Sequence, residues 1–590
     1  MNVPSAGVAP RLWPGVAIVG LQWLVRFAVP ALWPGASMYA VLGGLAGGVA
    51  VLVWWLFFSR IPLADRWGAV LLAAAAMAAT SRIVHESIAT GMMGLLLAIY
   101  SIPVLSLVLV LATVLAQRLP GGWRRLVMAS LILLACGLFA LLRTGGITGG
   151  ASSDFAWRWS QTSEERLLVE ASLPLPAPPT VPAAGLDRAD RQPLDPAGTP
   201  VPQPEAADWP GFRGPGRDGV IPGTGIRTDW STAQPVELWR RSVGPAWSSF
   251  AVSAGRLYTQ EQRGEEELVT CYDAQTGEPL WAHRDAARFW ESNGGAGPRG
   301  TPTVAGGRVY ALGATGILNA LDAATGAAIW SRNAAEDTGS KVPGWGFSSS
   351  PLVIDDLVVV AADSQLAAYD AVSGAMRWSA SAGGGSYSSP HLWTPPGGSP
   401  QLLLMSSHGL TGFAPADGGI LWKYGWRSGD RIVQPAAMPE GDLLVGGADM
   451  DGIRRIALTP GPDAWSVEDR WESRGLKPYF NDFVIHAGHI FGFDGAILTC
   501  LDVNNGRRKW KGGRYGHGQL VLLRDEGVLL VLSEEGELAL VRAAADGFEE
   551  LARFPALEGK TWNHPVLVGD RLYVRNGQEM AAFRLPRRRE

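Results

Sequence analysis

The stretch 303–330 reads TVAGGRVYALGATGILNALDAATGAAIW, and its pattern decides the fold. Its short apolar runs alternate inward and outward residues, as half-buried strands do, and glycine-rich breaks between them carry hairpin-turn residues. The pattern predicts a four-stranded antiparallel meander with two apolar faces. Because one such unit cannot bury both faces alone, it must pack against copies of itself.

Copies of this unit recur along the chain as Asp–x–x–x–Gly–x–x–x–Trp. The full pattern occurs at Asp273/Gly277/Trp281, Asp322/Gly326/Trp330, Asp370/Gly374/Trp378 and Asp502/Gly506/Trp510. Including weaker copies, the closing aromatics are Trp239, Trp281, Trp330, Trp378, Trp422, Trp471, Trp510 and Phe554. Their spacing, about 39 to 49 residues, is the period of a propeller blade.

The two ends of the repeat region complete one another. Trp239 ends a strand that has no preceding partners, whereas residues 564–585 supply three strands without a closing aromatic. Pairing the two ends would close the ring and leave no free strand edge. Seven complete repeats plus this composite blade predict an all-β, eight-bladed β-propeller over residues 208–590.

The N-terminal part is an α-helical transmembrane domain, predicted over residues 1–150. Five apolar segments are each about 20 residues long, enough to cross a bilayer. They cover residues 12–33, 37–58, 67–83, 92–116 and 124–142. With the N-terminus in the cytoplasm, six arginines lie on the inner side and two on the outer side, as the positive-inside rule prefers. We therefore expect a multi-pass protein of the inner (cytoplasmic) membrane with its propeller in the periplasm.

An extracytoplasmic linker is predicted between the two domains, over residues 151–207. Its part from 173 to 207 is proline-rich, as in LPLPAPPTVPAA, and such a segment acts as a semi-rigid spacer.

Charge and cysteine content exclude several functions. The net charge of −4 does not indicate a nucleic-acid-binding protein, which would carry an excess of positive charge. The three cysteines, Cys136, Cys271 and Cys500, are too far apart in the predicted fold to pair, so we expect buried free thiols. Metal and hydrolase motifs are absent, so we predict no metal ligand and no catalytic residue.

Candidate ligand-binding residues lie in the loops that precede each innermost strand. These loops converge over the central channel of a propeller, where ligands bind. The candidates are Arg299, Trp345, Arg431, Asn481, Asp482, His517, Trp562 and His564. The alternative is that these side chains are only the polar lining that any channel mouth has.

The turn sequences DAQTGEPLW and DAATGAAIW match a D-x-x-T-G-x-x-x-W consensus. This consensus resembles the pyrroloquinoline-quinone-like (PQQ-like) propeller repeats of quinoprotein dehydrogenases and of outer-membrane assembly factor B. The lead-in WPGFRGPGRDG, residues 209–219, is similar to membrane-anchored propeller proteins of planctomycete-type bacteria. The resemblance implies a non-enzymatic binding or scaffold module for envelope proteins, anchored in the lipid bilayer.

The resemblance also implies an alternative, a PQQ-dependent alcohol or sugar dehydrogenase that passes electrons to membrane quinone. Such an enzyme needs a stacking aromatic and cationic partners for the quinone, a Ca²⁺ held by carboxylate and amide oxygens, and a general base. Many of these enzymes carry adjacent cysteines, which this chain lacks. Asn481–Asp482 is the only Asn–Asp pair on a predicted channel loop.

Overall fold

A computed structural model describes residues 12–33, 36–116, 119–150, 152–170, 209–427, 429–447, 451–461 and 464–588. The proline-rich segment 173–207 lies outside the described residues. The chain divides into two compact units, Met1–Thr162 with Glu291–Gly295, and Ser163–Trp290 with Ala296–Glu590.

Five helices of the first unit are long and apolar enough to cross a membrane, as predicted. They are Trp13–Leu32, Tyr39–Phe58, Leu63–Ile83, Leu96–Leu115 and Gly121–Ala140. The component helices are α1 (Trp13–Trp23), α2 (Val29–Leu32), α3 (Ser37–Val53), α4 (Leu63–Ile83), α5 (Glu86–Ala89), α6 (Leu96–Ala116) and α7 (Gly121–Ala140). π-Helical turns at Leu24–Ala28 and Trp54–Phe58 continue the first and second spans.

Three spans start at other residues than the hydropathy pattern indicates, and the fifth span begins at Gly121 rather than 124. The third helix begins at Leu63 rather than 67, since Asp65 in its first turn pairs with arginines of α7 and Arg66 donates to the carbonyls of Leu56 and Ile61. The fourth begins at Leu96 rather than 92, because Met92 and Met93 have positive φ angles in the preceding turn. Polar side chains and backbone turns, which hydropathy ignores, set the starts of the third and fourth spans.

Regular structure continues beyond the last span. Strands β1 (Leu142–Ile147) and β2 (Ser153–Trp157) form an antiparallel hairpin, and helix α8 covers Ser163–Glu170. Residues 152–170 of the predicted linker therefore contain a strand and a helix.

Eight sheets of the second unit form the blades of the propeller, as predicted. Blade 1 consists of β5 (Ala251–Ser253), β6 (Arg256–Arg263), β7 (Glu266–Asp273) and β8 (Pro279–Asp285). The short strands β9 (Trp290–Glu291) and β10 (Gly295–Ala296) follow it. Blade 2 consists of β11 (Thr303–Ala305), β12 (Arg308–Leu312), β13 (Ile317–Asp322) and β14 (Ala328–Asn333). Helix α9 (Ala334–Thr338) follows β14. Blade 3 consists of β15 (Leu352–Ile354), β16 (Leu357–Ala362), β17 (Gln365–Asp370) and β18 (Met376–Ser381). Blade 4 consists of β19 (His391–Trp393), β20 (Gln401–Ser406), β21 (Gly409–Phe413) and β22 (Ile420–Gly425).

The remaining blades follow the same order from the innermost to the outermost strand. Blade 5 consists of β23 (Ala436–Ala437), β24 (Leu443–Gly446), β25 (Ile453–Pro460) and β26 (Trp465–Ser473). Blade 6 consists of β27 (Val484–His486), β28 (His489–Asp494), β29 (Ile497–Asp502) and β30 (Arg508–Arg514). Blade 7 consists of β31 (Gln519–Leu523), β32 (Val528–Leu532), β33 (Glu537–Arg542) and β34 (Glu550–Pro555). Blade 8 consists of β35 (Val566–Val568), β36 (Arg571–Arg575), β37 (Glu579–Arg584) and β4 (Val236–Ser242).

Blade 8 closes the ring with strands from both ends of the propeller. Strand β4 pairs antiparallel with β37, and Trp239 lies opposite Ala582. The closure predicted from the two ends of the repeat region is confirmed.

The repeated Asp, Gly and Trp join each blade to its neighbour. Asp322 closes its turn by accepting hydrogen bonds from the backbone and hydroxyl of Thr325, each 2.8 Å long. Gly326 has φ +76°, and a Cβ there would lie 2.4 Å from the Trp281 ring of the preceding blade. That indole donates to the carbonyl of Ala323, 3.3 Å away. The motif is thus a clamp between blades, and glycine is required because the ring lies directly against the backbone.

The hydrophobic core is divided among the interfaces between blades. Cys271 packs with residues of blades 1 and 2, whereas Cys500 packs with residues of blades 6 and 7. Together with Cys136 of α7, both are buried free thiols, as expected.

Candidate functional site

The loops that precede the innermost strands are linked to one another around the channel. The backbone N–H of Ser249 donates to the hydroxyl of Thr301, that of Thr301 to Ser350, and that of Ser350 to Ser389, at 2.9 to 3.0 Å. Farther round the ring, the N–H of Gln434 donates to Asp482 Oδ1 at 2.9 Å. Asp482 therefore accepts from the backbone of the preceding blade, as the hydroxyls of blades 2 to 4 do.

The lead-in segment, residues 209–221, fills the channel along the innermost strands. Trp209 exchanges backbone hydrogen bonds with Val252 of blade 1, and the carbonyl of Pro210 accepts from Val304 of blade 2. Strand β3 (Val220–Ile221) pairs in parallel with β31 of blade 7. The Phe212 ring lies edge-on to His564 of blade 8, with 5.0 Å between centroids.

Two buried arginines extend the lead-in across the channel. Arg217 donates to the carbonyls of Ser350 and Pro351 in blade 3, at 3.1 and 3.0 Å. Arg213 donates to the Phe483 carbonyl in blade 6 at 2.9 Å. Burial, with Arg213 nearby, lowers the pKa of the Arg217 guanidinium to about 9. The segment therefore contacts opposite sides of the ring.

A charged network lies where the lead-in meets blades 6 and 8. Arg213 lies 3.4 Å and His564 3.7 Å from the Asp482 carboxylate, and all three side chains are buried. Burial alone would raise the pKa of Asp482, but the charge of Arg213 and the nearby His564 ring lower it below its usual value. Burial lowers the pKa of His564, so this imidazole is neutral near pH 7.

An aromatic layer, formed by Trp247, Trp345, Tyr387, Tyr479, Phe480, His517 and Trp562, covers the mouth of the channel. Trp345 of the loop before blade 3 meets Tyr479 of the loop before blade 6, with ring centroids 6.2 Å apart. From Tyr479 the contacts continue through Phe480 to Trp562 and then to Trp247. These rings, contributed by blades that are nearly opposite, therefore form one set of contacts across the mouth.

Polar side chains hold the layer in place. Glu534, in the hairpin of blade 7, accepts from the Trp562 indole at 2.8 Å and from the His517 backbone at 3.1 Å. The Lys560 ammonium lies over the Trp562 and Trp247 rings, 4.5 and 5.2 Å from their centroids. The electron-rich face of an indole attracts a cation, so this cation–π contact stabilises the layer.

Six of the eight predicted residues lie in these two assemblies. Trp345, His517 and Trp562 belong to the aromatic layer. Asp482 and His564 belong to the charged network, and Asn481 beside them accepts from the Tyr479 backbone at 3.2 Å.

The two predicted arginines lie elsewhere. Arg431 is 1% exposed, donates to the carbonyls of Trp426 and Gly446, and stacks on the Trp426 ring. Arg299 donates to two carbonyls of its own loop and lies over Phe289. Both guanidiniums therefore hold loops in place. Near Arg299, burial raises the pKa of Glu267 to about 7.

Sequence reasoning missed the lead-in arginines and the partners of the aromatic layer, such as Tyr387 and Glu534. The glycines of WPGFRGPGRDG were a usable signal for close backbone approach. A Cβ at Gly211 would lie 2.9 Å from the Thr303 hydroxyl. The hairpin positions that hold Glu534 and Glu267 carry no local pattern that could have identified them.

The residues present do not fit a quinone cofactor with its calcium ion. A planar tricycle needs a slot, but Trp345 meets Tyr479 across the mouth and the lead-in occupies the channel. Arg213 and Arg217 already donate to carbonyls of the chain, and Arg213 also faces the Asp482 carboxylate. Within the described residues, no group of three or more His, Cys, Asp or Glu side chains is placed to hold a metal ion.

Comparison with known proteins identifies the repeat. The family model described as outer membrane protein assembly factor BamB matches residues 231–390 and 265–512. BamB of Yersinia pestis is 25% identical over 291 residues, which are 47% of this chain and 61% of that protein. BamB of Shewanella oneidensis is 28% identical over 160 residues, 25% of this chain and 37% of that protein. The chain thus spans less than two thirds of the length of either relative.

Among solved structures, a quinohemoprotein alcohol dehydrogenase from Pseudomonas putida matches with a TM-score of 0.48 and 14% identity, over 65% of this chain and 81% of that chain. The identification rests on the Asp–Gly–Trp repeats, the eight-bladed ring and the family match. The propeller of this chain belongs to the PQQ-like β-propeller repeat family.

Proposed function

We propose that this protein is a membrane-anchored binding module that acts as a scaffold for envelope proteins, in outer-membrane protein assembly. The observation that carries the proposal is the filled channel. Residues 209–221 and the aromatic layer occupy the space in which a propeller enzyme would hold its substrate and cofactor. The surface that remains for recognition is the outer side of the mouth.

The mouth has the composition of a protein-binding surface. Trp247, Trp345, Tyr387 and Lys560 are half-buried, so each is held in place but still accessible. Tryptophan and tyrosine are enriched among the residues that dominate binding energy at protein interfaces. The names of the BamB relatives point to assembly at the outer membrane as the process served.

The membrane unit is proposed to anchor the propeller on the periplasmic side of the inner membrane. The arginine distribution favours a cytoplasmic N-terminus, and five spans then bring residue 143 and those after it to the outer side. The proline-rich segment 173–207 is proposed as a spacer between the membrane unit and the propeller.

Deletion and complementation in the native bacterium would test this role. Deletion should lower the amount of folded outer-membrane β-barrel protein, measured by heat-modifiable gel mobility, and the full-length wild-type gene should restore it. Trp345→Ala combined with Lys560→Ala should restore it poorly. The matched control is Val372→Ser, which changes an exposed apolar residue in a turn at the opposite end of blade 3. Unchanged barrel levels after deletion would refute the assembly role.

The quinoprotein dehydrogenase remains the alternative to be tested directly. The full-length protein in detergent would be incubated with PQQ and Ca²⁺. We expect neither stoichiometric binding of the quinone nor dye reduction that depends on alcohol or sugar. Detection of both would overturn the scaffold proposal.

A further inference from the structure

A cavity of about 580 Å³ lies within the membrane unit, at the ends of α4, α6 and α7. Its volume falls in the range of ligand-binding sites, roughly 300 to 1,000 Å³. Among the residues that line it are Arg60, Asp65, Leu72, Arg124, Arg125 and Met128. Three arginines against one aspartate make the lining positive.

Asp65 organises these charges. It is 8% exposed, and its two oxygens accept from Arg124 and from Arg125 Nε, the latter at 2.7 Å. One carboxylate thus fixes two guanidiniums and neutralises one charge. Arg60 is exposed and has no hydrogen bond or ion pair with a described residue, so its charge is available to a ligand.

The backbone adds positive potential at the same place. Helices α4 and α7 both start here, at Leu63 and Gly121, and the N-terminus of a helix attracts anions. Gly68, which lines the cavity, has open space where a side chain would be. An anion in the cavity can therefore come close to the backbone of α4.

The cavity spans polar and apolar depths of the bilayer. Trp67 and Trp123, beside it on α4 and α7, are 53% and 62% exposed, and exposed tryptophans are typical of the membrane–water interface. Leu72 and Met128 lie one to two helical turns farther into the spans. A ligand with an anionic head and an apolar tail matches this order of residues.

We propose that this cavity binds the phosphate headgroup of an anionic phospholipid, with Arg60 and Arg125 as its cationic partners and an acyl chain along Leu72 and Met128. Basic pockets between transmembrane helices on the cytoplasmic side bind such headgroups. Under the orientation proposed above, this is the cytoplasmic end of the spans. Arginines that only follow the positive-inside rule would not need a cavity or a buried carboxylate that orients them.

Titration of the full-length protein with dioleoyl phosphatidylglycerol in a nonionic detergent would test the proposal, with native mass spectrometry measuring the first bound lipid. Arg60→Gln and Arg125→Gln should each weaken that binding about tenfold, since each removes a charge-assisted hydrogen bond. The matched control is Arg82→Gln, which removes an exposed arginine at the other end of α4 and should leave binding unchanged. Dioleoyl phosphatidylcholine should bind at least tenfold more weakly than phosphatidylglycerol.

A competition experiment separates a lipid from free phosphate. Inorganic phosphate and glycerophosphate at about 10 mM should not displace phosphatidylglycerol, because they lack the acyl chain that contacts the apolar lining. Displacement at that concentration would assign the site to free phosphate and overturn the lipid proposal. Equal loss of binding in the Arg60, Arg125 and Arg82 variants would also overturn it, because general surface attraction explains that result.

Discussion

The interaction of Arg213 with Asp482 should decide whether the lead-in stays in the channel. The two side chains are 2% and 4% exposed and lie 3.4 Å apart. Arg213→Met keeps most of the side-chain volume but leaves Asp482 buried without its cation, which costs about 3 kcal/mol. For a propeller of about 380 residues, that loss lowers Tm by about 4 °C.

The effect should depend on pH. Arg213 lowers the pKa of Asp482 in the folded state, so the pair stabilises the wild type above the ordinary carboxyl pKa of about 3.9. That contribution is lost only as the pH falls through the lowered value. In Arg213→Met, burial raises the pKa of Asp482 instead. The variant should therefore regain stability relative to wild type as the pH falls from 7 toward 4.

Thermal unfolding of the full-length protein in detergent, followed by tryptophan fluorescence at several pH values, would measure both effects. Arg284→Met is the matched control, because Arg284 pairs with Glu266 on the surface and its loss should cost less than about 1 kcal/mol. Adding Asp482→Asn to Arg213→Met should recover part of the loss. An Arg213→Met Tm equal to that of the control, or a difference from wild type that is the same at pH 7 and pH 5, would refute the argument.

Three further substitutions test the clamps and the buried carboxyl. Gly326→Ala should destabilise by more than about 2 kcal/mol in denaturant unfolding, since its Cβ would overlap Trp281, whereas Gly306→Ala, with positive φ but open space, should cost only about 1 kcal/mol. Trp330→Phe should cost about 1 kcal/mol, because its indole donates to a carbonyl of the next blade at 3.1 Å; an unchanged midpoint would argue against that bond. Burial raises the pKa of Glu267 to about 7, so wild type loses stability as the pH rises from about 4.3 to 7. Glu267→Gln should be the more stable protein at pH 8, by on the order of 3 kcal/mol, but not at pH 4, and equal stabilities at pH 8 would contradict the assignment.

Most of the fold could be predicted from local patterns. Asp322, Gly326 and Trp330 encode a turn, a close backbone approach and a packing ring within one short stretch, residues 322–330. Each blade can therefore be recognised from about 45 consecutive residues. The spacing of the closing aromatics also predicted the number of blades, and the incomplete repeats at the two ends predicted the pairing of β4 with β37. Span boundaries were less accurate, because hydropathy does not register the ion pairs of Asp65 or the turn at Met92.

The candidate site was predicted only in outline. Position in the repeat placed the candidates in loops around the channel, where Trp345, His517 and Trp562 belong to one set of ring contacts. It could not show that Arg431 turns away onto Trp426. A repeat fixes where a loop begins but not the rotamer of a long side chain within it.

The sequence by itself determined the ring, its eight blades and the five apolar helices, because these depend on periodicities that neighbouring residues set. Only the tertiary structure decided that the channel is filled. The contacts that fill it join residues far apart in the chain, such as Arg213 with Asp482 and Trp345 with Tyr479. Such pairs form because a closed ring brings distant loops to one axis, where buried charges require partners and aromatic rings pack.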